Sequence, residues 1–235
     1  MNLERLLQSQ GFGGRRECRG MILAGRVCVA GEPCDDPDAE FEPEGLVFSV
    51  DGEEWVGHKQ AYLVLNKPAG YEVSHKALHH PSVFLLVPRP LLTRGVQAVG
   101  RLDEDTTGLL LLSDDGQFIH TYSSPKKKVP KVYEVTTKHP IDDALVAALL
   151  AGVQLHDEPA PIVAAGCERV SEHHLRLTVT EGKYHLVKRM VAAAGNRVEA
   201  LHRSRVGGLT LPEGLAPGKW AWLAADDLAR LAERA

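Results

Sequence analysis

Acidic side chains crowd one short apolar stretch of the sequence. Residues 99–116 read VGRLDEDTTGLLLLSDDG, in which five acidic residues surround four consecutive leucines. The last two aspartates are followed by Gly116, and this combination is typical of a turn. Asp103 and Asp105 precede the leucines, and side chains two residues apart in an extended segment point to the same side. A carboxylate held there could serve metal-assisted hydrolysis or, without a metal, nucleophilic catalysis.

The metal-dependent alternative is a phosphatase. Asp-x-Asp-x-Thr at 103–107 superficially matches the nucleophile loop of haloacid-dehalogenase-type enzymes. That loop needs an unbroken apolar strand before its first aspartate. Gly100 and Arg101 occupy this place and the leucines come afterwards. The order of residues therefore disfavours a phosphatase that uses Asp103 and Asp105.

A second group of charged residues lies on a predicted helix, YHLVKRMVAAAG at 184–195. At about 100° per residue, His185, Lys188 and Arg189 share one face. The opposite face is apolar and consists of Leu186, Val187, Met190, Val191 and Ala194. This basic face could be solvated, or it could supply a cation to a site.

The elements that would carry these residues indicate an α+β fold. The segments KVYEVTT and LRLTVT alternate as strands do, AYLVLNKPAG is typical of a buried strand, and KWAWL is a late strand. DDALVAALLAG is helical and ends at a glycine. Strict βαβ alternation is absent, so we expect a mixed, mostly antiparallel sheet flanked by helices.

The N-terminal residues form a separate pattern. Leu3, Leu6 and Leu7 have helical spacing, RRECRGMILAG predicts a second helix, and RVCVAGEPC alternates and turns as a hairpin does. We predict a small helix–helix–hairpin domain over 1–57 and a larger domain over 58–235.

Charge is distributed unevenly along the chain. The net charge of −4 alone argues against a nucleic-acid-binding protein. Residues 1–30, however, carry five arginines and two glutamates, whereas residues 32–54 carry ten acidic residues and no lysine or arginine. The remainder has a surplus of basic residues. An acidic stretch thus separates two mildly basic modules, which are suited to an anionic partner.

Several classes of protein are disfavoured. No apolar run approaches the roughly 18 residues of a membrane span, and the N-terminus lacks the apolar segment of a signal peptide. We therefore expect a cytoplasmic protein without a membrane partner. The four cysteines show no CxxC spacing and are expected to be reduced thiols, neither a disulfide framework nor a zinc site.

The N-terminal pattern resembles the small RNA-binding module shared with ribosomal protein S-four. The matching residues are LERLLQSQGFGGRRECRGMILAGRVCVAGEPCDDP. The resemblance implies that Arg15, Arg16 and Arg19 face RNA phosphates. Glu4 stands where an aspartate is more usual, a departure that we expect to be minor.

The remaining motifs resemble those of the pseudouridine synthases that carry Gly-Arg-Leu-Asp. Four segments agree in family order, and the resemblance covers essentially the whole chain. It is closest to the branch that modifies small-subunit (16S) ribosomal RNA. The segments are LNKPAGYEVS, GRLDEDTTGLLLLSDDG, SSPKKKVPKVYEV and EGKYHLVKRMVAAAGNRVEALHRSRVGGL.

The resemblance implies an isomerase that converts one uridine of ribosomal RNA to pseudouridine without a metal or organic cofactor. Asp103 would attack the sugar or remove a neighbouring proton. Tyr133 would offer a flat face to the uracil, and Lys188 would hold the carboxylate ionised. Leu201 would close the base pocket. A non-catalytic RNA-binding protein on the same scaffold is the other alternative, which the intact catalytic set disfavours.

Basic residues would form the RNA path. Arg101 is placed to enter the gap left by a flipped base or to hold phosphate. Leu186 stands where the family often has glutamine, so a polar contact is expected to be lost. The partner would be 16S ribosomal RNA or a small-subunit assembly intermediate, bound by a monomer. The other expected RNA-binding residues are Lys126, Lys127, Lys128, Lys131, Arg189, Arg203 and Arg205.

Overall fold

The computed structural model describes residues 1–233, which divide into two compact units. The second unit contains Leu63–Leu86, Ala98–Leu112 and the chain from Gly116 onward. The first contains Met1–Tyr62, Val87–Gln97 and Ser113–Asp115. It therefore takes in two later segments that the prediction assigned to the catalytic domain of 58–235. Residues 234 and 235, the end of that predicted domain, lie outside the described residues.

The first unit packs two helices against a small sheet. Leu3, Leu6 and Leu7 are fully buried, as their helical spacing predicts, and Asn2 caps their helix by accepting a hydrogen bond from the Arg5 amide. The sheet has the order β2-β1-β3-β4 with antiparallel pairs. Its elements are α1 (Leu3–Ser9), α2 (Arg15–Leu23), β1 (Val27–Val29), β2 (Glu32–Pro33), β3 (Val47–Val50) and β4 (Glu53–Val56).

The second unit is built on a nine-stranded mixed sheet, which confirms the expected α+β class. Its main path has the order β13-β5-β7-β11-β8-β10-β9, in which β7 and β11 are parallel and β11, β8, β10 and β9 are successively antiparallel. The strands are β5 (Tyr62–Lys67), β6 (Gln97–Ala98), β7 (Thr107–Ser113), β8 (Lys131–Thr137), β9 (Gly166–Arg169), β10 (His174–Val179), β11 (Val198–Val206), β12 (Leu209–Thr210) and β13 (Trp220–Trp222).

Helices complete both units. The buried face of α6 packs on β8, β10 and α5 in one apolar core that includes Met190, Leu177 and Leu149. Among the described residues, no helix has the length and hydropathy needed to cross a bilayer. The remaining helices are α3 (Arg89–Thr93), α4 (Gly116–Ser123), α5 (Asp143–Ala151), α6 (Leu186–Ala193) and α7 (Ala225–Ala232).

Candidate active site

The loop that carries Asp103 is held from inside the protein by a buried lysine. Lys67, the last residue of β5, is fully buried, and its Nζ donates hydrogen bonds to the carbonyls of Pro68, Glu104 and Thr106 at 3.0, 2.9 and 2.8 Å. Burial lowers the pKa of Lys67 to about 8. The two bonds to Glu104 and Thr106 fix the backbone that directly follows Asp103.

The same side of this loop is also fixed by Gly108, at the start of β7. Its φ is +102°, and a Cβ there would lie 2.3 Å from the Arg203 carbonyl oxygen on the parallel strand β11. Only glycine permits so close an approach of the two strands. The Arg203 Nε then donates to the Leu109 carbonyl at 2.8 Å. Asp103 is thus followed by a segment of backbone that cannot shift freely.

Asp103 contacts two basic side chains from the start of α6. His185 Nε2 lies 3.3 Å from Oδ1, and Lys188 Nζ lies 3.4 Å from Oδ2. The structure therefore brings Lys188 beside Asp103, where the resemblance places it. Asp103 is 25% exposed, so its carboxylate remains open to a ligand.

Asp105 makes the stronger contact with the same lysine. Lys188 Nζ donates to both Asp105 oxygens, at 2.6 and 2.8 Å. Burial alone would raise the pKa of Asp105, but the hydrogen bond and charge of Lys188 lower it overall. Burial would likewise lower the pKa of Lys188, yet the bond to Asp105 and the charge of Asp103 raise it. One ammonium thus keeps two carboxylates in place.

A cavity of about 100 Å³ opens beside Asp103. Tyr133 and Arg203 are cross-strand partners on β8 and β11, so their side chains share a face of the sheet with Leu201. All three line the cavity with Asp103. An aromatic face, an apolar floor and a carboxylate in one small cavity can hold a flat base against a reactive group.

Lys131 and Arg203 correct the expectation of an exposed basic path. Arg203 is 3% exposed, because its guanidinium turns inward to the Leu109 carbonyl. Lys131 is half-buried, and its Nζ donates to the Val129 carbonyl at 3.1 Å. Burial, and then the charge of Arg203, lower the pKa of Lys131 to about 8. Both residues line the cavity, where they face whatever occupies it.

The other basic residues predicted for the RNA path differ in their surroundings. Arg101 and the run Lys126–Lys128 are exposed, and Arg101 also lines the cavity. Arg189 is not on an open surface, because it pairs with Asp157 and donates to the Tyr184 carbonyl at 3.1 Å. Arg205 is half-buried, and its Nε has no hydrogen-bond partner within the described part of the chain.

Three exposed arginines lie on α2 of the first unit, where the sequence pattern predicts contact with RNA. Arg15 Nε and Arg19 Nη1 bind the two oxygens of Glu4, at 2.6 and 3.1 Å. The Glu4 side chain is only 1% exposed, and hydrogen bonds from Arg19 and Arg15 lower its pKa. Arg16 is exposed. Glu4 therefore holds two of the three arginines through its carboxylate.

Sequence reasoning missed part of this site. His185 does not lie on α6, because its backbone is left-handed with φ 47° and it serves as the residue before the helix. Asp105 was considered only as a metal ligand, although its spacing from Asp103 placed it on the same side. The role of Lys67 could have been inferred from the sequence, because a lysine at the end of an otherwise apolar strand needs buried hydrogen-bond acceptors. Leu186 is 5% exposed and lines the cavity with an apolar surface.

The site offers no cage for a metal ion. Within residues 1–233, no group of three or more His, Cys, Asp or Glu side chains is arranged to bind one. Asp103 and Asp105 both contact the Lys188 ammonium instead, so their carboxylates already have a cationic partner. The described cysteines are all free thiols.

Comparison with known proteins agrees with this geometry. The family model described as RNA pseudouridylate synthase matches residues 61–193, and the model described as S4 domain matches residues 1–47. The first match contains Asp103, Tyr133 and Lys188. The second contains Glu4 and the three arginines of α2.

Full-length relatives carry corresponding names. The chain is 40% identical to "Ribosomal small subunit pseudouridine synthase A" of Salmonella typhimurium over 97% of this chain and 99% of that protein. It is 36% identical to "Uncharacterized RNA pseudouridine synthase YtzG" of Bacillus subtilis over 99% of each.

The solved structures include one that matches the whole chain. It is described as "Crystal structure of pseudouridylate synthase", and it superposes with a TM-score of 0.70 at 32% identity over 99% of this chain and 100% of that one. The carboxylate loop, the small aromatic cavity, the family models and the full-length relatives all agree. The chain belongs to the RNA pseudouridylate synthase family and carries an S4 domain at its N-terminus.

Proposed function

We propose that this enzyme converts a uridine of small-subunit ribosomal RNA to pseudouridine, with Asp103 as the catalytic carboxylate. The substrate class is supported by the names of relatives that match over nearly the whole chain, such as the Salmonella typhimurium protein. The assignment of Asp103 is carried by one observation, the position of its carboxylate beside Lys188 in a cavity that Tyr133 and Leu201 also line. The proposal includes action in the cytoplasm, as a monomer.

Each side chain around the cavity has a separate role in the proposed reaction. Tyr133 holds the flipped uracil by its face, and Leu201 closes the cavity beneath it. Asp103 attacks the sugar or removes a neighbouring proton, and both routes require the ionised carboxylate. Lys188 favours that ionised form through its charge. Asp105 fixes the lysine, so that the cation lies near Asp103 without a short, tight bond to it.

The S4 domain binds the substrate in this proposal. Arg15, Arg16 and Arg19 contact RNA phosphates, and Arg101 with Lys126, Lys127 and Lys128 extends the contact near the cavity. Phosphate contacts position an RNA and supply affinity, whereas the choice of base is made in the cavity. We retain 1–57 and 58–235 as the proposed functional domains, with Val87–Gln97 packing in the first compact unit.

Two measurements test the proposal. Pseudouridines are mapped in ribosomal RNA from cells with and without the gene, and one small-subunit uridine is expected to remain unmodified when the gene is absent. The purified protein is then given naked small-subunit RNA and, separately, an assembly intermediate, which identifies its substrate.

The Asp103→Asn variant tests the catalytic residue. We expect it to fold and to bind RNA, because the shape is kept, but to form no pseudouridine. Single-turnover conversion of the mapped RNA is the measurement, with RNA binding as the control for folding. A rate within about tenfold of wild type would refute the role of Asp103.

A further inference from the structure

A second, larger cavity shares a wall with the base cavity. Its volume is about 790 Å³, against about 100 Å³ for the first. Asp103, His185 and Arg101 line both cavities, whereas Tyr133 and Leu201 line only the small one. A chain that delivers one nucleotide to the small cavity must continue past this wall, and the larger cavity is adjacent to it.

Tyr184 presents an aromatic ring to this second cavity. It is 70% exposed, which is unusual for a side chain of its size and apolarity. One face of the ring stacks on His185, with centroids 3.8 Å apart and planes at 18°. The exposed area therefore includes the other face, which can receive a flat group.

The ring stacks on a neighbour that is itself held in place, and the Tyr184 backbone is anchored as well. His185 Nε2 contacts Asp103, which fixes the imidazole under the tyrosine. The Tyr184 carbonyl accepts a hydrogen bond from Arg189, whose guanidinium pairs with Asp157. An exposed aromatic ring that is held in this way loses little conformational entropy when it binds a ligand.

Another part of the cavity lining is polar and is held by hydrogen bonds. The Glu72 carboxylate accepts three backbone hydrogen bonds, from Leu78, His79 and His80, at 3.0, 2.8 and 2.9 Å. This loop presents His79 and His80 to the cavity. A cavity lined by imidazoles and an aromatic ring suits a ligand that has both a flat base and a phosphodiester.

We propose that this cavity is a second nucleotide subsite, which binds the residue next to the target uridine with its base stacked on Tyr184. The inference rests on the proposed function in taking single-stranded RNA as the ligand. Stacking on an aromatic ring tolerates any base, so the subsite contributes affinity and positioning rather than sequence choice.

The test is a coupling experiment with a defined probe. The probe is a five-nucleotide RNA with one central uridine and adenosine elsewhere, made also with an abasic residue immediately 5′ or 3′ of the uridine. Binding is measured in the Asp103→Asn background, so that the probe is not converted. The variants are Tyr184→Ala, Tyr184→Phe and, as a control at a similarly exposed residue outside both cavities, Leu85→Ala.

We expect Tyr184→Ala to weaken binding of the intact probe about tenfold, whereas Tyr184→Phe and Leu85→Ala bind as the parent does. One of the two abasic probes should bind the parent about tenfold less tightly, and Tyr184→Ala should cause no further loss with that probe. Unchanged binding by Tyr184→Ala, or losses that add for both abasic probes, would overturn the subsite. Failure of the proposed function would appear differently, as unchanged ribosomal RNA modification without the gene while the coupling persists.

Discussion

Ion pairs in the two units have opposite stoichiometry. In the first unit, one inaccessible carboxylate, Glu4, binds two exposed arginines, Arg15 and Arg19. In the second unit, one half-buried cation, Lys188, binds two carboxylates, Asp103 and Asp105. The first arrangement leaves a surplus of positive charge at the surface, and the second leaves a surplus of negative charge beside a cavity.

The difference shows how one kind of contact can support two tasks. A surplus of guanidinium charge that faces solvent attracts phosphate and keeps enough donors to bind it. Because two carboxylates contact one ammonium, Asp103 lies near a cation while its oxygens can still contact a ligand. In the first unit one carboxylate holds two arginines, and in the second unit one ammonium holds two carboxylates.

The strongest test of this comparison removes Lys188, the one cation that both aspartates contact. Lys188→Met should reduce the single-turnover rate about 100-fold or more, because Asp103 and Asp105 then lose the cation that both contact beside the cavity. Lys188→Arg should retain most of the activity, because it supplies the same charge. Rates are measured with saturating RNA, so that weaker binding does not contribute.

Arg189→Met is the matched control on the same helix. Its guanidinium pairs with Asp157 and does not contact Asp103, so the rate at saturation should change far less than in Lys188→Met. If Arg189→Met had the larger defect and Lys188→Met behaved as wild type, the active-site half of the comparison would be wrong.

A smaller effect is expected when Arg15 and Arg19, the two arginines that bind Glu4, are replaced. Arg15→Gln with Arg19→Gln should weaken RNA binding about tenfold at moderate salt and flatten the log–log salt dependence by about 0.9 or less for each lost phosphate contact. The rate at saturation should stay unchanged. Arg230→Gln removes an exposed arginine of α7 and is the control for net charge. An unchanged salt slope in the double variant would contradict phosphate binding by α2.

The smallest effect concerns pH. Burial lowers the pKa of Lys131 to about 8 from 10.5, so this lysine loses its charge as pH rises through about 8, whereas the arginines of α2 stay charged. RNA binding should therefore weaken about two- to fivefold between pH 7 and pH 9. Lys131→Met should abolish this step, and the double arginine variant should keep it. Lys67 has a pKa of about 8 as well, but it is fully buried. A step that persists in Lys131→Met would assign the titration to another group.

Much of the fold and part of the site follow from local sequence patterns. The buried leucines of α1 and the apolar face of α6 are periodic signals that the structure confirms, and KVYEVTT forms the predicted strand β8. The contact between Lys188 and Asp103 joins residues far apart in the chain, and only the family resemblance anticipated it. The inward turn of Arg203 could not be predicted, because the acceptor that draws it inward lies on a different strand.

The same limit explains the role of Glu4. A lone glutamate in a short helix is typical of a solvated position, and nothing in its own segment indicates two arginine partners. The partners lie on α2, and the tertiary packing of the two helices brings them to one carboxylate. The left-handed backbone at His185 could not be predicted either. The residue continues the helical pattern of the sequence, and only its torsion angles differ from those of a helix.

Gly108 also determines where this enzyme can be redesigned. Any side chain at that position would collide with the backbone of β11, so directed evolution cannot change substrate preference by substituting Gly108. Glu104 and Asp105 are more accessible, with exposed side-chain fractions of 43% and 57%. Libraries aimed at a different uridine context should therefore vary Glu104, His79 and His80. They should keep Gly108 and Lys67 constant, because these two residues hold the loop that carries Asp103.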